Sequence, residues 1–416
     1  MRLIINNIGK VRDANIEMNG ITVLAGENDT GKSTISKSLY SVFSPLFECE
    51  SKIDGFIKDA IYKELFYLYR HANFRFSRFR TERKKVLEKI MKINIDGKVS
   101  AEDIYDILEK SFLESNEYIK IDEELIGDVS KTIAGYLKSD REMIKKTLIQ
   151  TCLEKEFSSQ INNLYEKESA GIITLIVKDK EIRIEIRDNK LIDFKQDIEL
   201  LNDVTYLDEP MSVDDYEMPF YSRGQVLEHN ENALKKFVDK NKDVNIVDDV
   251  MIDGRLTKIM SLIDSVVNGK VFSNEGELSI NINGMSEPIN IKNLASGIKS
   301  LLTIKTIIMN GYVKDKSVLI LDEPETHLHP KWQMLLASFI VQLQKEFNIT
   351  CLISTHSPYF LNSIEVFSDK ENISDRCKYY LSEKDKGVSD VTFSTERIYK
   401  ILSDTFDDLD KIQDEE

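Results

Sequence analysis

The segment Gly26-Glu27-Asn28-Asp29-Thr30-Gly31-Lys32-Ser33 decides the fold of this chain. It matches the pattern G-x-x-x-x-G-K-[ST], in which backbone N–H groups and a lysine surround phosphate oxygens. The apolar run Ile21–Ala25 precedes it and predicts a buried strand. Residues 33–43 then carry apolar side chains at helical spacing, and Pro45 is expected to end that helix. Strand, glycine-rich loop and helix in this order predict a nucleoside triphosphate site.

The residues of this loop have separate roles. Gly26 and Gly31 allow a close approach of phosphate to the backbone. The start of the helix offers unpaired N–H groups and a partial positive charge. Lys32 is expected to reach the β- and γ-phosphates, and the Ser33 hydroxyl is expected to hold Mg²⁺. The predicted nucleotide-binding set is Gly26, Asn28, Asp29, Thr30, Gly31, Lys32, Ser33 and Thr34.

The second half of the site is predicted at Val-Leu-Ile-Leu-Asp-Glu, residues 318–323. Asp322 ends an apolar strand, where ligands bind in open α/β sheets, and is expected to hold Mg²⁺. Glu323 is the candidate for positioning or polarising the attacking water. Asp322 lies 290 positions after Lys32 (322 − 32). The two halves of the site are therefore separated by large inserted segments.

The string Leu-Asp-Glu-Pro occurs twice, at 207–210 and at 321–324. The apolar or β-branched run that leads to Asp208 in the first copy has only four residues, 204–207, and an acidic, loop-like stretch follows the copy. Asp208 is therefore not expected to be the metal residue.

Three histidines follow Glu323. His356 comes just after an apolar strand predicted at 350–354, and is expected to contact the γ-phosphate or the attacking water. His327 and His329 precede Pro330, which is predicted to begin a helix. They have no cysteine or third histidine nearby, which weighs against zinc and favours a role at a subunit interface.

These pieces together resemble the ABC-type ATPase class, in its soluble branch of structural-maintenance-of-chromosomes heads, RecF-type and OLD-type proteins. Residues 294–300, Leu-Ala-Ser-Gly-Ile-Lys-Ser, stand where that class has its signature loop. The usual form is Leu-Ser-Gly-Gly-Gln, so Ala295 replaces the phosphate-contacting serine and Ser296 is expected to serve instead. The resemblance implies that Ser296 and Gly297 complete the ATP site of a second copy, making a homodimer.

The fold that the resemblance implies is an α/β P-loop head with a mixed central sheet, an antiparallel β lobe and helical insertions. The chain also looks like small bacterial stand-alone ATPases of the AAA family, including the ATPase subunits of Septu-type anti-phage systems. This likeness is strong over residues 1–47 and 286–400. It implies ATP and Mg²⁺ as ligands and a link to defence. No nuclease motif is visible, so an effector nuclease is expected on a separate chain.

One class feature, a glutamine that reaches the Mg²⁺, has two candidates. Gln160 is preferred because strands are predicted after it, and Gln225 is the alternative. An aromatic platform for adenine is not visible, because residues 1–25 contain no Phe, Tyr or Trp. The choice of ATP over GTP therefore comes from the family resemblance.

The predicted organisation has six parts. They are the start of the head at 1–47, a helical insertion at 48–165, antiparallel strands at 166–223, a second helical insertion at 224–275, the rest of the head at 276–400 and an acidic tail at 401–416.

The stretch between Arg70 and Lys85 holds seven basic residues and interleaved phenylalanines. Such a pattern can bind single-stranded nucleic acid, and it is also typical of an ordinary helix with one charged face.

Composition sets the outer bounds. The 416-residue chain has 41% hydrophobic and 31% charged residues, which is typical of globular proteins with charged surfaces. No apolar run reaches about 18 residues, and four scattered cysteines suit a reducing compartment, so a cytoplasmic protein without membrane contact is expected. A net charge of −16 argues against general nucleic-acid coating. The leading hypothesis is a defence sensor or scaffold ATPase. The alternatives are a DNA-binding repair or chromosome-maintenance clamp and a transporter subunit.

Overall fold

The computed structural model describes residues 1–71, 76–93, 99–114, 122–166, 169–208, 226–240, 246–274, 277–384 and 387–402. The strands are β1 (Arg2–Ile8), β2 (Val11–Glu17), β3 (Ile21–Ala25), β4 (Gly171–Val177), β5 (Lys180–Arg187), β6 (Lys190–Gln196), β7 (Val204–Leu207), β8 (Gly269–Asn274), β9 (Glu277–Ile282), β10 (Ile289–Asn290), β11 (Val318–Asp322), β12 (Thr350–Thr355), β13 (Cys377–Glu383) and β14 (Gly387–Asp390). The helices are α1 (Lys32–Leu46), α2 (Cys49–His71), α3 (Phe76–Ile93), α4 (Ala101–Glu114), α5 (Glu123–Leu137), α6 (Arg141–Glu156), α7 (His229–Val238), α8 (Ile246–Asp264), α9 (Ser296–Met309), α10 (Pro330–Phe347) and α11 (Pro358–Lys370).

The central sheet has six strands in the order β14-β13-β3-β12-β11-β7. β14 is antiparallel to β13, and the other neighbouring pairs are parallel. Every residue of β3 and of β11 is buried, as expected for strands covered on both faces. Because the parallel strands β3, β11 and β12 are in register, Ala25, Asp322 and Thr355 end at the same edge of the sheet.

A second sheet, in the order β2-β1-β4-β5-β6, is antiparallel throughout. In this sheet β4 and β5 form a hairpin, and β4 also pairs with the N-terminal strand β1. The mixed sheet, the antiparallel lobe and the helical insertions confirm the fold class inferred from the sequence. One strand was misplaced: β7 was expected among the antiparallel strands, but it pairs in parallel with β11 at the edge of the central sheet.

Two helix ends test the sequence rules. Pro330 is the first residue of α10, as predicted. Pro45 lies inside the last turn of α1, which ends at Leu46, so the prediction that Pro45 stops this helix is wrong. A proline near the C-terminal end removes one backbone donor, while burial of the side chains around it keeps the last turn helical.

The stretch expected as a second insertion packs into the head. From α7, Ala233 and Phe237 belong to the same buried cluster as Leu319 of β11 and Phe339 of α10. The same cluster takes in described residues of α8, among them Ile259 and Ile263, and of α9. The helices at 229–264 therefore help to build the core of the head and are not a separate projection.

The described chain divides into two compact units. The larger takes in residues 1–47 and the described residues from 149 to 402, with the two sheets described above. The smaller spans Glu48–Leu148, and α2 to α5 lie within it. Its core consists of apolar side chains at helical spacing, such as Ile61, Leu65 and Leu68 of α2 and Ile133 of α5.

Candidate nucleotide site

The phosphate loop joins β3 to α1, as the sequence predicts. Gly26 has a φ of 154°, and a Cβ on it would lie 2.3 Å from the carbonyl oxygen of Ser382 in β13. Any other residue would therefore displace this turn. Ser382 also donates a hydrogen bond from its hydroxyl to the Thr30 carbonyl, at 2.9 Å. The loop is thus held in shape by the neighbouring strand, while Asn28 and Asp29 at its tip are exposed.

Lys32 is the buried charge of this loop. Its Nζ donates to the carbonyl oxygens of Gly26 at 2.9 Å and of Glu27 at 2.7 Å, and only 4% of the residue is exposed. Burial lowers the pKa of Lys32, and the carboxylate of Glu323 opposes that shift. No side chain among the described residues caps the N-terminus of α1, and Ser33 is exposed there. Free N–H groups, a lysine and a hydroxyl at one helix end fit a phosphate with a bound cation.

Asp322 closes the site from the end of β11. Its Oδ1 accepts a hydrogen bond from the Ser354 hydroxyl of β12, and its Oδ2 accepts one from the Tyr206 hydroxyl of β7 at 3.0 Å. The residue is 5% exposed, so both oxygens are fixed by neighbouring strands. Oriented carboxylate oxygens are among the ligands that Mg²⁺ prefers in proteins. Tyr206 and Ser354 were not predicted, since neither belongs to a recognisable local motif.

Glu323 lies between the Lys32 ammonium and the His356 imidazole. Its Oε1 is 3.8 Å from Lys32 Nζ, and its Oε2 is 3.2 Å from His356 Nδ1. Glu323 has a left-handed φ of 47°, and its N–H donates to the Ser354 carbonyl at 3.0 Å. Such a backbone is uncommon outside glycine and asparagine and is held by the surrounding structure. The structure therefore brings together Lys32, Glu323 and His356, three residues selected from the sequence.

Glu325 is a carboxylic acid near Glu323 that was not predicted from the sequence. It is buried, it accepts a hydrogen bond from the Thr355 hydroxyl, and its Oε2 makes no hydrogen bond to any described residue. Burial raises its pKa to about 7. The only available signal was its place two residues after Glu323, in a loop expected to face the nucleotide.

The signature segment begins α9. Ser296 is exposed, and the N-terminus of α9 has no capping side chain among the described residues. Gly297 is buried against the loop after β11, where an added Cβ would lie 2.9 Å from the His327 carbonyl oxygen. Ser296 takes no part in the described hydrogen bonds and ion pairs that connect Lys32, Asp322, Glu323 and His356.

Of the two candidate glutamines, only Gln160 lies among the described residues. Gln160 is exposed, in the turn after α6. Its neighbour Ile161 accepts a hydrogen bond from the Gly9 N–H at 2.9 Å, and a Cβ on Gly9 would lie 3.1 Å from the Thr34 side chain. The segment that carries Gln160 thus runs beside the start of α1. Gln225 lies outside the described residues.

A small cavity beside the phosphate loop has one aromatic residue, Tyr165, in its lining. Asp29 and Thr30 line it from the loop, Val11 from β2, and Tyr165 from the connection that precedes β4. Tyr165 is 59% exposed. Its distance of more than 130 positions from the loop left no local signal for this neighbourhood.

The remaining residues and segments selected from the sequence have no described contact with Lys32, Asp322, Glu323 or His356. His329 is the N-cap of α10, and the described residues contain no cluster of three or more metal-ligating side chains. In the basic stretch, the structure does not describe residues 72–75 or the side chains of residues 76–80. The acidic tail from residue 403 also lies outside the described residues. Arg83 is buried, with its guanidinium 4.2 Å from the ring centroid of Tyr62. Among the described residues, no helix combines the length and apolar character needed to cross a membrane.

Comparisons with known proteins identify the family of this chain. The AAA_15 family model, an AAA ATPase domain, matches residues 1–361, and the chain belongs to this family. The retron Vc95 probable ATPase of Vibrio cholerae serotype O1 biovar El Tor is 26% identical over 147 residues, which cover 33% of this chain and 26% of that protein. The retron Ec83 probable ATPase of Escherichia coli is 25% identical over 160 residues, which cover 36% and 28%. The chain thus matches less than a third of either relative's length.

Solved structures give a distant likeness. An SMC head bound to the C-winged helix domain of ScpA has a TM-score of 0.40 and 12% identity, covering 95% of this chain and 98% of that one. The SMC head domain from Thermotoga maritima has a TM-score of 0.35 and 11% identity, covering 94% and 98%. The resemblance to AAA-family ATPases inferred from the motifs is confirmed by the family match.

Proposed function

We propose that this member of the AAA ATPase domain family is an ATP-hydrolysing switch in which two copies close around two ATP molecules. The observation that carries the proposal is the position of Glu323, between Lys32 Nζ at 3.8 Å and His356 Nδ1 at 3.2 Å. An ammonium can bind phosphate oxygens, and a carboxylate or imidazole beside it can orient the attacking water.

The donor set fits a magnesium nucleotide. Ser33 is exposed at an uncapped helix end, and Asp322 is a buried carboxylate with an oriented pair of oxygens. Bound there, Mg²⁺ would offset the negative charge of the phosphates. Lys32, now donating to two backbone carbonyls, would exchange those bonds for phosphate oxygens.

Glu323 is proposed to orient and polarise the attacking water. The left-handed backbone and the hydrogen bond to Ser354 fix its direction, so little reorganisation is needed when water arrives. His356 is proposed to sense the γ-phosphate from the end of the next strand. Both side chains are partly exposed, which leaves them open to the substrate.

The exposed, uncapped start of α9 supports the dimer. Its N–H groups have no side-chain partner among the described residues, and Ser296 faces outward, so the helix end can bind a phosphate of a second copy. Gly297 rests on the His327 carbonyl in the loop that follows Glu323. That contact would connect the signature segment of one site with the hydrolytic loop of the other.

Mixing two inactive variants tests the shared site. Lys32→Met should disable the phosphate loop, and Ser296→Arg should block the helix end presented to the partner. If sites form between copies, each pure variant is inactive, and an equal mixture regains about a quarter of the wild-type sites, since half the dimers are mixed and each has one intact site. Ser296→Arg alone must still bind ATP. No recovery in a mixture shown to form mixed dimers would reject the shared site.

The biological setting is a further part of the proposal. The likeness to Septu-type ATPase subunits and the two relatives named as retron ATPases support a defence system in which this switch controls a separate effector nuclease. Co-expression with the adjacent gene's product, with and without Lys32→Met, tests whether nuclease activity follows the nucleotide state. The DNA-clamp alternative receives less support, because Arg83 of the basic stretch is buried on Tyr62.

A further inference from the structure

A buried histidine next to the nucleotide site is enclosed by two carboxylates. His229, at the start of α7, is 2% exposed. Its Nδ1 is 2.7 Å from Glu156 Oε2 and its Nε2 is 2.9 Å from Asp208 Oδ2. The backbone N–H of His229 also donates to Glu156 Oε1 at 2.8 Å. Both ring nitrogens face acceptors, so each carries a proton and the ring is a cation. The two carboxylates raise its pKa to about 9 against the opposing effect of burial.

This histidine stacks on a tyrosine. The rings of His229 and Tyr206 are nearly parallel, with centroids 4.1 Å apart and an interplanar angle of 18°. Tyr40 of α1 packs against the pair, with its centroid 5.9 Å from that of Tyr206 and 6.1 Å from that of His229. Tyr206 is 1% exposed, so its ring has no room to move.

The tyrosine leads to the metal-binding carboxylate. The Tyr206 hydroxyl donates to Asp322 Oδ2 at 3.0 Å. A cation against the face of a phenol ring is attracted by its electrons and draws electron density from it. The phenol O–H then becomes a stronger donor, and a hydrogen bond to a carboxylate is already among the stronger ones in proteins. The charge on His229 therefore tightens the hold of Tyr206 on Asp322.

We propose that Tyr206 is a positioning residue for Asp322, and that the cluster Glu156–His229–Asp208 holds and polarises Tyr206 for that purpose. The inference rests on the proposed function, since it concerns how the same site prepares its metal-binding oxygen. It gives a role to Asp208, whose Leu-Asp-Glu-Pro string imitates the true motif without binding metal. It also explains why β7, a strand of four residues, ends beside β11.

The test measures nucleotide binding with and without metal. The affinity of the full chain for a fluorescent ATP analogue is measured in Mg²⁺ and in EDTA. The metal's contribution is the Kd in EDTA divided by the Kd in Mg²⁺, called here the metal ratio. Tyr206→Phe removes one hydroxyl and keeps the ring. We expect its ratio to fall by about 10-fold, as for other groups that orient metal ligands, with binding in EDTA unchanged. Mn²⁺ binding followed by electron paramagnetic resonance should weaken in parallel.

A double variant distinguishes positioning from packing. His229→Gln should also lower the metal ratio. The double variant Tyr206→Phe with His229→Gln should have the same metal ratio as Tyr206→Phe alone, because His229 acts through the Tyr206 hydroxyl. If His229→Gln does not fold, Tyr206→Phe decides alone. Tyr380→Phe is the control, since it removes a buried hydroxyl that accepts from the Glu17 N–H at 2.8 Å.

The outcomes separate the two proposals. The positioning role is overturned if Tyr206→Phe keeps the wild-type metal ratio. It is also overturned if the fold-decrease of this ratio in the double variant equals the product of the two single decreases. A wild-type chain that binds nucleotide equally in Mg²⁺ and EDTA overturns the proposed function and this inference together.

Discussion

The imidazole Nδ1 of His356 lies 3.2 Å from the carboxylate Oε2 of Glu323. The two residues follow adjacent parallel strands, β12 and β11, whose register places Ser354 opposite Asp322. Sheet geometry, and not a local sequence motif, therefore sets this distance. Any change in the pairing of these strands would separate the Glu323 carboxylate from the His356 imidazole.

Glu323→Gln should separate binding from hydrolysis. The amide keeps the size of the side chain but cannot polarise water as a carboxylate does, so we expect hydrolysis to fall by about 100-fold or more with ATP binding retained. Molar mass in solution should then double with Mg-ATP more completely than in the wild type. Glu396→Gln, at an exposed position, is the matched control. Hydrolysis at the wild-type rate would refute the assignment of Glu323.

Lys32→Met should abolish ATP binding and stabilise the empty protein. Burial disfavours the Lys32 ammonium and lowers its pKa, so an apolar side chain of similar length avoids this desolvation, at the loss of two hydrogen bonds to backbone carbonyls. We expect the free energy of unfolding without nucleotide to rise by about 1 kcal/mol. Urea denaturation and nucleotide titration measure the two effects. Lys345→Met, at an exposed ion pair with Glu371, should change neither substantially. A less stable empty variant would show that the lysine has a structural role.

Tyr165→Ala should weaken binding of the base but not of the phosphates. Stacking of a base on an aromatic ring contributes about 1–3 kcal/mol, so we expect ATP affinity to fall by about 10-fold. Tyr165→Phe keeps the ring and should bind like the wild type. Tripolyphosphate, which lacks a base, provides the comparison by calorimetry, and Tyr359→Ala is an exposed control. An equal loss for tripolyphosphate would mean that Tyr165 only shapes the loop.

Glu325→Gln should remove a pH dependence of stability. Burial raises the Glu325 pKa from 4.5 to about 7, so between these values the folded chain keeps a proton that the unfolded chain loses. The Glu325 contribution to stability therefore falls by about 1.4 kcal/mol per pH unit in this window, about 3 kcal/mol in all, and levels off above pH 7.

Urea denaturation at several pH values between 4.5 and 8 measures this effect. The stability of Glu325→Gln relative to the wild type should rise across the window and then stay constant. A constant difference at every pH would show that Glu325 titrates normally in the folded chain.

The sequence predicted those parts of the site whose signals are local. The phosphate loop, the strand ending at Asp322 and the helix beginning at Pro330 each follow from neighbouring residues. The parts it missed depend on pairing between distant segments. β7 has four residues and becomes a sheet strand only through β11, more than 100 positions later. Tyr165 meets the phosphate loop, and His229 meets Glu156, in the same non-local way.

The strand before the phosphate loop is hydrogen-bonded on both sides to segments from the far end of the chain. Ile21 of β3 pairs with Cys351 and with Cys377, which lie 330 and 356 positions later (351 − 21 and 377 − 21). At about 5–20 residues per second, a ribosome would take on the order of tens of seconds to synthesise these partners. Until then β3 is an apolar strand with two open edges, exposed to mispairing. Newly made chains should thus remain unable to bind nucleotide until β12 and β13 have been synthesised, and chaperones that shield extended apolar segments should raise the yield of active protein.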